Sequence, residues 1–345
     1  MKLIDSTKVH KLMHQLFLNK GMANDVACVV VDSLVETSIR GVDSHGIGLF
    51  PHYYSEVSLG RLNILPKIDI EKKASSVAVL DAKNTLGHHA GKLAMESAID
   101  MAKETGIGMV NVKNSTHFGA AWFFTDMAAN RGMLGLAFTN TEALVNAFNG
   151  KDSFFGTNPF CFSAPMIDEN PFCLDMATST VSWNKVKNYR RQNLTLEEGW
   201  TLDENGAKTV DPHKARSLTA IGGYKGFGLG AVIEILCSGL ANGPLSKDIP
   251  PLYDLSIETN RNISHAFIAI DVAKFIPLEF FKNYMTSLAY RVRSLKATNE
   301  EIGVVLPGDN EKQSYSLRSA SGIPMDDYKF TEFLEVSKDF QLTLL

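Results

Sequence analysis

The sequence predicts an α/β fold, and three observations carry the prediction. Short apolar runs rich in β-branched and small residues, at 109–112, 135–139 and 265–271, read as strands. Between them lie stretches with apolar residues at helical spacing, such as 90–104 and 120–131. Glycines and Asn-Pro turns punctuate the segments, giving the strand–helix alternation of a sheet with helices packed on it. With 345 residues, 45% hydrophobic and 21% charged, the chain has an ordinary globular composition and room for two domains or one large core with an appendage.

Composition also excludes several classes. The formal charge of −4 shows no basic excess, which argues against nucleic acid as a partner. No run of about 18 apolar residues occurs, so no membrane-spanning helix is expected. The charged start MKLIDSTKVHKLMHQ lacks the long apolar core of a signal peptide. Cys28, Cys161, Cys173 and Cys237 lie far apart with no CxxC pair, so neither a zinc knuckle nor a disulfide framework is suggested. A soluble cytoplasmic protein is expected.

In chain order, residues 1–40 read as two helices. Val9, Leu12, Met13, Leu16 and Phe17 recur at helical spacing behind Ser6 as the cap, and Gly21 stops the helix. Asn24 is the expected cap of the second, with Ala27, Val30, Val31, Leu34, Val35 and Ser38 on one face and Gly41 at its end. His10 and His14 stand four apart, but HKLMH is not HExxH, so a solvated helix face is the better reading. Segment 40–54, RGVDSHGIGLFPHYY, is dense in functional groups. Ser44 and His45 are not a nucleophilic dyad, because adjacent side chains point apart. Local grounds leave His45 either a proton donor or a helix C-cap partner. Residues 68–80 suggest two strands with a turn, and 90–104 a helix with Leu93, Ala94, Ala98, Met101 and Ala102 inward.

Segment 106–119, GIGMVNVKNSTHFG, carries the strongest chemical signal. A short apolar strand breaks into a polar loop that delivers His117 beside Gly119. A side chain leaving a strand end is where α/β proteins place chemistry, and histidine gives and takes a proton near neutrality. Alone, His117 is equally a turn-capping residue. Further on, 160–164 and 172–175 read as short strands bordered by turns such as Asn158-Pro159. Thr157, Asn158, Asp175, Thr178 and Ser179 stand at strand ends, suited either to a ligand or to ordinary Asx-turns. Residues 185–220 are polar with no core pattern beyond the turn at 203–206, and predict a surface excursion or a small subdomain.

The run 222–243, GGYKGFGLGAVIEILCSGLANG, holds Gly226-x-Gly228-x-x-Ala231, which superficially fits the dinucleotide fingerprint GxGxxA. That fingerprint should follow the first strand of a βαβ unit, whereas here a polar run precedes it. Its glycines read as close backbone approach at a helix N-terminus, with Lys225 placed to meet a phosphate, or as tight helix packing. Residues 278–295 form an amphipathic helix with Arg291 and Arg293 near its end, 306–309 a turn, and 328–345 a terminal helix or helix pair. No ligand trio has metal-site spacing, so no metal is expected.

Taken together, RGVDSHG at 40–46, HFG at 117–119, GTNP at 156–159, LDMATS at 174–179, DPHKA at 211–215, GGYKGFGL at 222–229, FIAID at 267–271 and LPG at 306–308 resemble the type 2 malate/L-lactate dehydrogenase family over nearly the whole chain. The resemblance implies an NAD- or NADP-dependent oxidoreductase interconverting a 2-hydroxy acid and a 2-oxo acid. It implies a non-Rossmann α/β nucleotide-binding domain with a mixed sheet at 76–289, including the excursion at 185–220. A helical domain would come from both chain termini, 1–75 with 290–345, and the assembly would be a homodimer. His117 or His45 would handle the hydroxyl proton, with Ser44 and Asp175 in the catalytic group and Asp175 as the carboxylate fixing the imidazole. Tyr53, Arg261 and Asn140 would meet the substrate. Thr157, Asn158, Pro159, Leu174, Asp175, Met176, Ala177, Tyr224, Lys225, Gly308, Asp309 and Asn310 would hold the cofactor.

One departure bears on the substrate. The family pattern SHGxxR places an arginine on the substrate carboxylate, but here the segment reads SHGIGL and Leu49 stands in its place. Either Arg261 or Arg40 takes the carboxylate, or the substrate is atypical, such as a sugar acid or a cyclic imino acid. A non-catalytic nucleotide-binding homologue is the alternative from another class.

Overall fold

The computed structural model describes residues 1–253 and 259–338, so the expectation for the end of the chain beyond 338 lies outside the described residues. The chain enters through strand β1 (Lys2–Ile4), then α1 (Ser6–Asn19), α2 (Asn24–Ile39) and α3 (Phe50–Ser58). Asp5, not Ser6, caps α1, its carboxylate accepting the Lys8 N–H at 2.9 Å. Asn24 is already the first helical residue of α2, and its side-chain oxygen lies 3.1 Å from His14 Nε2 instead. A cap is worth about 1 kcal/mol, whereas each fully buried aliphatic side chain contributes roughly 1.5–3 kcal/mol. The predicted stripe of Val9, Leu12, Met13, Leu16 and Phe17 is buried, so the helix forms whichever neighbour caps it.

An α/β body follows: β2 (Ile70–Ala74), β3 (Val77–Asp81), α4 (Gly87–Thr105), β4 (Ile107–Ser115), α5 (Trp122–Ala129) and β5 (Met133–Thr139). After short strands β6 (Val145–Asn146) and β7 (Ser153–Phe155) come β8 (Phe160–Ala164), β9 (Phe172–Met176) and α6 (Trp183–Gln192). Three more short strands, β10 (Thr201–Leu202), β11 (Lys208–Thr209) and β12 (Ser217–Leu218), lead to α7 (Tyr224–Glu234) and β13 (Ile263–Asp271). The chain closes with α8 (Leu278–Arg293), α9 (Asp309–Ser321), β14 (Ile323–Met325) and α10 (Asp327–Ser337).

The main sheet runs in the order β2-β3-β4-β13-β5-β8-β9. Only β3 and β4 pair in parallel, through the α4 crossover, while the remaining neighbours are antiparallel. This is the mixed sheet expected. Helices α4 and α5 cover one face, packing Ala94, Ala98 and Phe124 against Val110, Val112 and Phe267. The fit is close: a β-carbon on Gly108 of β4 would stand 2.1 Å from the Ala98 carbonyl oxygen. Ile233 and Cys237 from α7 and the turn after it bury Phe138 and Ala266 on the other face.

Both chain ends share a second core. Ile323, Met325 and Phe333 join Val9, Leu34 and Phe50 in one apolar cluster, and β1 pairs antiparallel with β14. The expected boundary at 290 falls inside α8, whose Met285 and Ala289 pack on Ala164 and Met166 of the α/β body.

Region 185–220 does have a core, contrary to the sequence reading. Val186, Leu196, Trp200, Ala215 and Leu218 cluster with Val145 and Val181, beneath a sheet in the order β11-β10-β12-β6-β7. Four of its five strands are two residues long and two come from before residue 160, so no local periodicity betrays it.

Candidate active site

β4 ends at Ser115, and the loop beyond it carries His117 into a gap between the sheet and α3. Gly119 makes the turn with φ 76°, and a β-carbon there would stand 2.5 Å from His88 Nε2. His45 arrives from the loop after α2. Gly46 folds that loop onto α2, where a β-carbon would lie 2.0 Å from the Ser38 hydroxyl oxygen. The two imidazoles stack, with centroids 5.6 Å apart and planes 21° from parallel. Ser44 Oγ lies 2.8 Å from His45 Nδ1, and the Tyr53 hydroxyl lies 2.5 Å from His117 Nδ1. Two separate loops and the first turns of α3 and α4 thus converge on one point.

Burial sets the charge state of this cluster. It lowers His117 well below the usual 6.5, helped by His45 and Arg261, and lowers His45 to about 4 with Lys329 adding to the effect. His88 falls to about 3 through burial and then the charge of His45. Both imidazoles of the pair are therefore neutral at pH 7, the form that hydrogen-bonds a carbonyl or takes a proton without a prior loss. Beneath them His52 is lowered to about 4 by burial, with Arg261 and Arg61 contributing, while burial raises Glu56 to about 7 against the pull of Arg61 and Arg261.

Arg261 is 2% exposed. Its Nε donates to the Pro250 carbonyl at 3.0 Å and one terminal nitrogen to Glu142 at 2.5 Å. The other, Nη1, is buried with no partner among the described residues. A buried guanidinium nitrogen without an acceptor is costly, and a carboxylate ligand would satisfy it. Arg40 is partly engaged: one terminal nitrogen pairs with Asp126 at 2.6 Å and the guanidinium lies 3.6 Å over the Trp122 ring. Arg40 Nε is likewise buried with no partner among the described residues, so Arg261 is the candidate with an open terminal nitrogen at its fork and Arg40 the one with an open nitrogen at its base. Leu49, at 7% exposure, belongs to the core shared by the chain ends.

A pocket of about 250 Å3 adjoins His45. Gly119, Ala120, Ala121 and Ala177 make a smooth wall, and Thr157, Pro159, Asp175, Met176 and Gly308 from the expected cofactor set also line it. Small side chains beside an imidazole admit a flat ring. Gly308, at φ 93°, sits so close to the Cys173 backbone that a β-carbon would lie 3.2 Å from its nitrogen and oxygen. These residues fit a nicotinamide dinucleotide.

Several expectations need correction. Asp175 fixes neither imidazole; it opens onto the pocket and accepts the Trp122 N–H at 2.9 Å at the start of α5, while the surrounding protein raises its pKa to about 6. Asn140 spends its side chain on the Ser264 N–H and the Pro244 carbonyl, holding two loops together rather than facing the pocket. Asn158 donates to Gly230 and Glu234, tying the loop before β8 to α7. Leu174, between pocket-lining Cys173 and Asp175, is not itself among the lining residues. Tyr224 and Lys225 are exposed at the start of α7, and Asn310 is exposed on α9. Asp309 pairs with Arg293. Sequence reasoning missed His52, Glu56 and His88. The only signal was their polarity at positions where helical spacing puts core, in the GHHAG and FPHYYSE blocks.

The model of the malate/L-lactate dehydrogenase family matches residues 4–333. The malate/(S)-sulfolactate dehydrogenase of Methanothermus fervidus is 33% identical over 326 residues, covering 94% of each chain. The NAD(+) ureidoglycolate dehydrogenase of Escherichia coli O157:H7 is 31% identical over 322 residues, covering 91% of each. The solved structure of malate dehydrogenase from Entamoeba histolytica superposes with a TM-score of 0.93 at 29% identity, over 99% of both chains.

Proposed function

The chain belongs to the malate/L-lactate dehydrogenase family, and from that premise we propose that it interconverts a 2-hydroxy acid and a 2-oxo acid with His117 as the proton carrier. The observation that carries this reading is the neutral, stacked His45–His117 pair beside a smooth-walled pocket and a buried arginine with a free nitrogen. A nicotinamide dinucleotide, when bound, supplies or accepts the hydride. Thr157, Pro159, Asp175, Met176, Ala177 and Gly308 would hold it.

The chain's own part is acid–base chemistry and orientation. The Gly119 N–H lies 3.4 Å from His117 Nδ1 and can only donate, and the buried Tyr53 hydroxyl, able to donate or accept, then donates to the same atom. Nδ1 is then the acceptor, and the neutral ring carries its proton on Nε2. In reduction, Nε2–H passes its proton to the carbonyl oxygen while Nδ1 takes the proton of the Tyr53 hydroxyl, which is replaced from solvent, so the ring stays neutral. In oxidation the transfers run in reverse, and Nε2 receives the hydroxyl proton as Nδ1–H returns its own through Tyr53. Arg261 holds the carboxylate, fixing the reacting carbon against rotation.

A homodimer is proposed on the support of Val232, Ile235 and Leu240, exposed by 50%, 62% and 56% along α7 and the turn after it. A cytoplasmic location is supported by four free cysteines. Among the described residues, no helix is long and apolar enough to cross a membrane.

The test is a steady-state screen of hydroxy acids, 2-oxo acids and cyclic imines with both NAD and NADP, followed through coenzyme absorbance. Turnover of at least one acid pair is expected. Saturable coenzyme binding with no turnover on any of them would favour a nucleotide-binding scaffold instead.

A further inference from the structure

A cleft of about 960 Å3 opens beside the candidate active site and shares Val42, Ser44 and Ser182 with the coenzyme pocket. Ser44, Leu49 and His52 line its inner end, and α6 and α10 form its walls. Clefts of roughly 300–1,000 Å3 take drug-sized ligands, several times larger than a lactate or malate.

The cleft is rich in positive charge. Lys185, Lys187, Arg190 and Arg191 reach it from α6, and Lys329 from α10. Among the described residues, rings and carbonyls hold these cations directly, while Glu142 and Glu332 act on Lys187 from farther off. Lys185 lies 4.5 Å over Trp200, Lys187 3.5 Å over Tyr253 and Arg191 4.6 Å over Tyr328. Arg190 donates to the Pro212 and Ala215 carbonyls, and Lys329 to the Asp43 carbonyl at 3.4 Å. The acids lining the same cleft are Asp43, Glu332 and Glu335, and the Asp43 carboxylate is already taken by Arg318. Ring faces compensate a cation only in part, so the cleft presents unneutralised charge to a ligand.

Lys329 links this charge to the reacting centre. It lies across Gly48, where a β-carbon would come within 2.9 Å of its Cδ and 3.1 Å of its Nζ. From that seat its ammonium acts on the His45 imidazole and on Lys187 alike.

Resting on the oxidoreductase reading above, we propose that this cleft receives the tail of the substrate and that the tail carries a second anionic group, a carboxylate or a phosphate ester, bound between Lys187 and Lys329. The substrate class is then a 2-oxo or 2-hydroxy acid whose distal anion lies beyond a spacer longer than that of malate. Arg261 holds the carboxylate next to the reacting carbon, and the two lysines select the far end. Lysine suits this task, because an ammonium on a flexible stem meets either oxyanion as a point charge.

The test uses the full chain with its coenzyme and three matched acids: 2-oxohexanoate, 2-oxoadipate, and the six-carbon 2-oxo acid bearing a phosphate ester at C6. The first two differ only at C6. A kcat/KM at least about tenfold higher for one of the anionic acids is expected, the size of one hydrogen bond to a charged group, and the preferred acid tells carboxylate from phosphate. In Lys187→Gln and in Lys329→Gln the anionic-over-neutral ratio falls by a similar factor with little change in melting temperature. Gly48→Ala, which displaces Lys329 without altering charge, lowers the ratio as well. Equal kcat/KM across the three acids, or a ratio that survives both lysine replacements, overturns the proposal. Calorimetric titration with the same acids separates the two levels of inference. Acids that bind without turnover defeat the oxidoreductase reading, while their affinity ratio and its response to the lysines still decide the cleft.

Discussion

The Tyr53 hydroxyl stands 2.5 Å from Nδ1 of His117, on the far side of the imidazole from the nitrogen assigned to the substrate. Tyr53 is fully buried, and burial raises its pKa well above 10, so it stays a protonated donor throughout the working range. Tyr53→Phe removes the donor without changing the packing. The expected result is a loss in kcat of roughly 10- to 100-fold, short of the 10²–10⁴ worth of a full acid–base group, with KM nearly constant and the kcat–pH profile displaced. If KM rises and kcat holds, Tyr53 is a substrate contact and does not set the tautomer.

His117→Ala should cut turnover by about 10²–10⁴, the range for lost general acid–base catalysis. Coenzyme affinity, read by fluorescence titration, should hold, because His117 is not among the residues lining the coenzyme pocket. His45 does line it and stacks on His117 at 5.6 Å, so His45→Ala is the comparison that separates the two roles. Wild-type turnover in His117→Ala would move the proton carrier to His45.

The strand-end position of His117 was legible in the sequence because it rests on local pattern: an apolar run, a polar break and a glycine that the turn requires at φ 76°. The mixed sheet and the helical core of both chain ends came through the resemblance of ordered motif blocks. What stayed illegible depends on contacts far apart in the chain. Asp175 meets the Trp122 N–H across 53 residues, and nothing near either residue announces that bond. The glycine-rich run at 222–229 resembles a phosphate cradle; its Tyr224 is 61% exposed, packs on Phe148 and is not among the residues lining the pocket beside His45. The cluster of His52, Glu56 and His88 escaped because a polar residue on an apolar helix face looks like surface until its neighbours are known.

Arg261→Lys keeps the charge but loses the planar fork. Removing the cation altogether would leave Glu142 unpaired, at about 3–5 kcal/mol for a buried pair, so the lysine variant is the cleaner probe. KM for the 2-oxo acid should rise by about tenfold or more, with a smaller effect on kcat and an intact thermal transition. An unchanged KM would show that the free Nη1 does not take the carboxylate.

Acid should destabilise the protein earlier than its carboxylates alone would dictate. His45 and His52 titrate at about 4 and His88 and His265 at about 3 in the folded chain, all lowered first by burial, against 6.5 when unfolded. Between these limits the unfolded chain binds protons that the folded chain refuses, so this stability is present above 6.5 and lost as pH falls toward 3–4. Glu56 at about 7 runs the other way, its contribution present below the usual carboxylate range and lost as pH rises through that value. His117, lowered well below 6.5, adds to the same side, so five histidines against Glu56 leave a net uptake of several protons on unfolding near pH 5, a slope of roughly 1.4 kcal/mol per pH unit for each. Urea unfolding at intervals from pH 4.5 to 7 measures it. His265 is the residue to replace, because it is fully buried between Thr139 and Ser115 at 2.7 and 2.8 Å and stacks on Phe118. His265→Gln should reduce the slope by about one proton, whatever it does to stability at pH 7. A slope that does not change would mean that His265 is protonated in the folded chain.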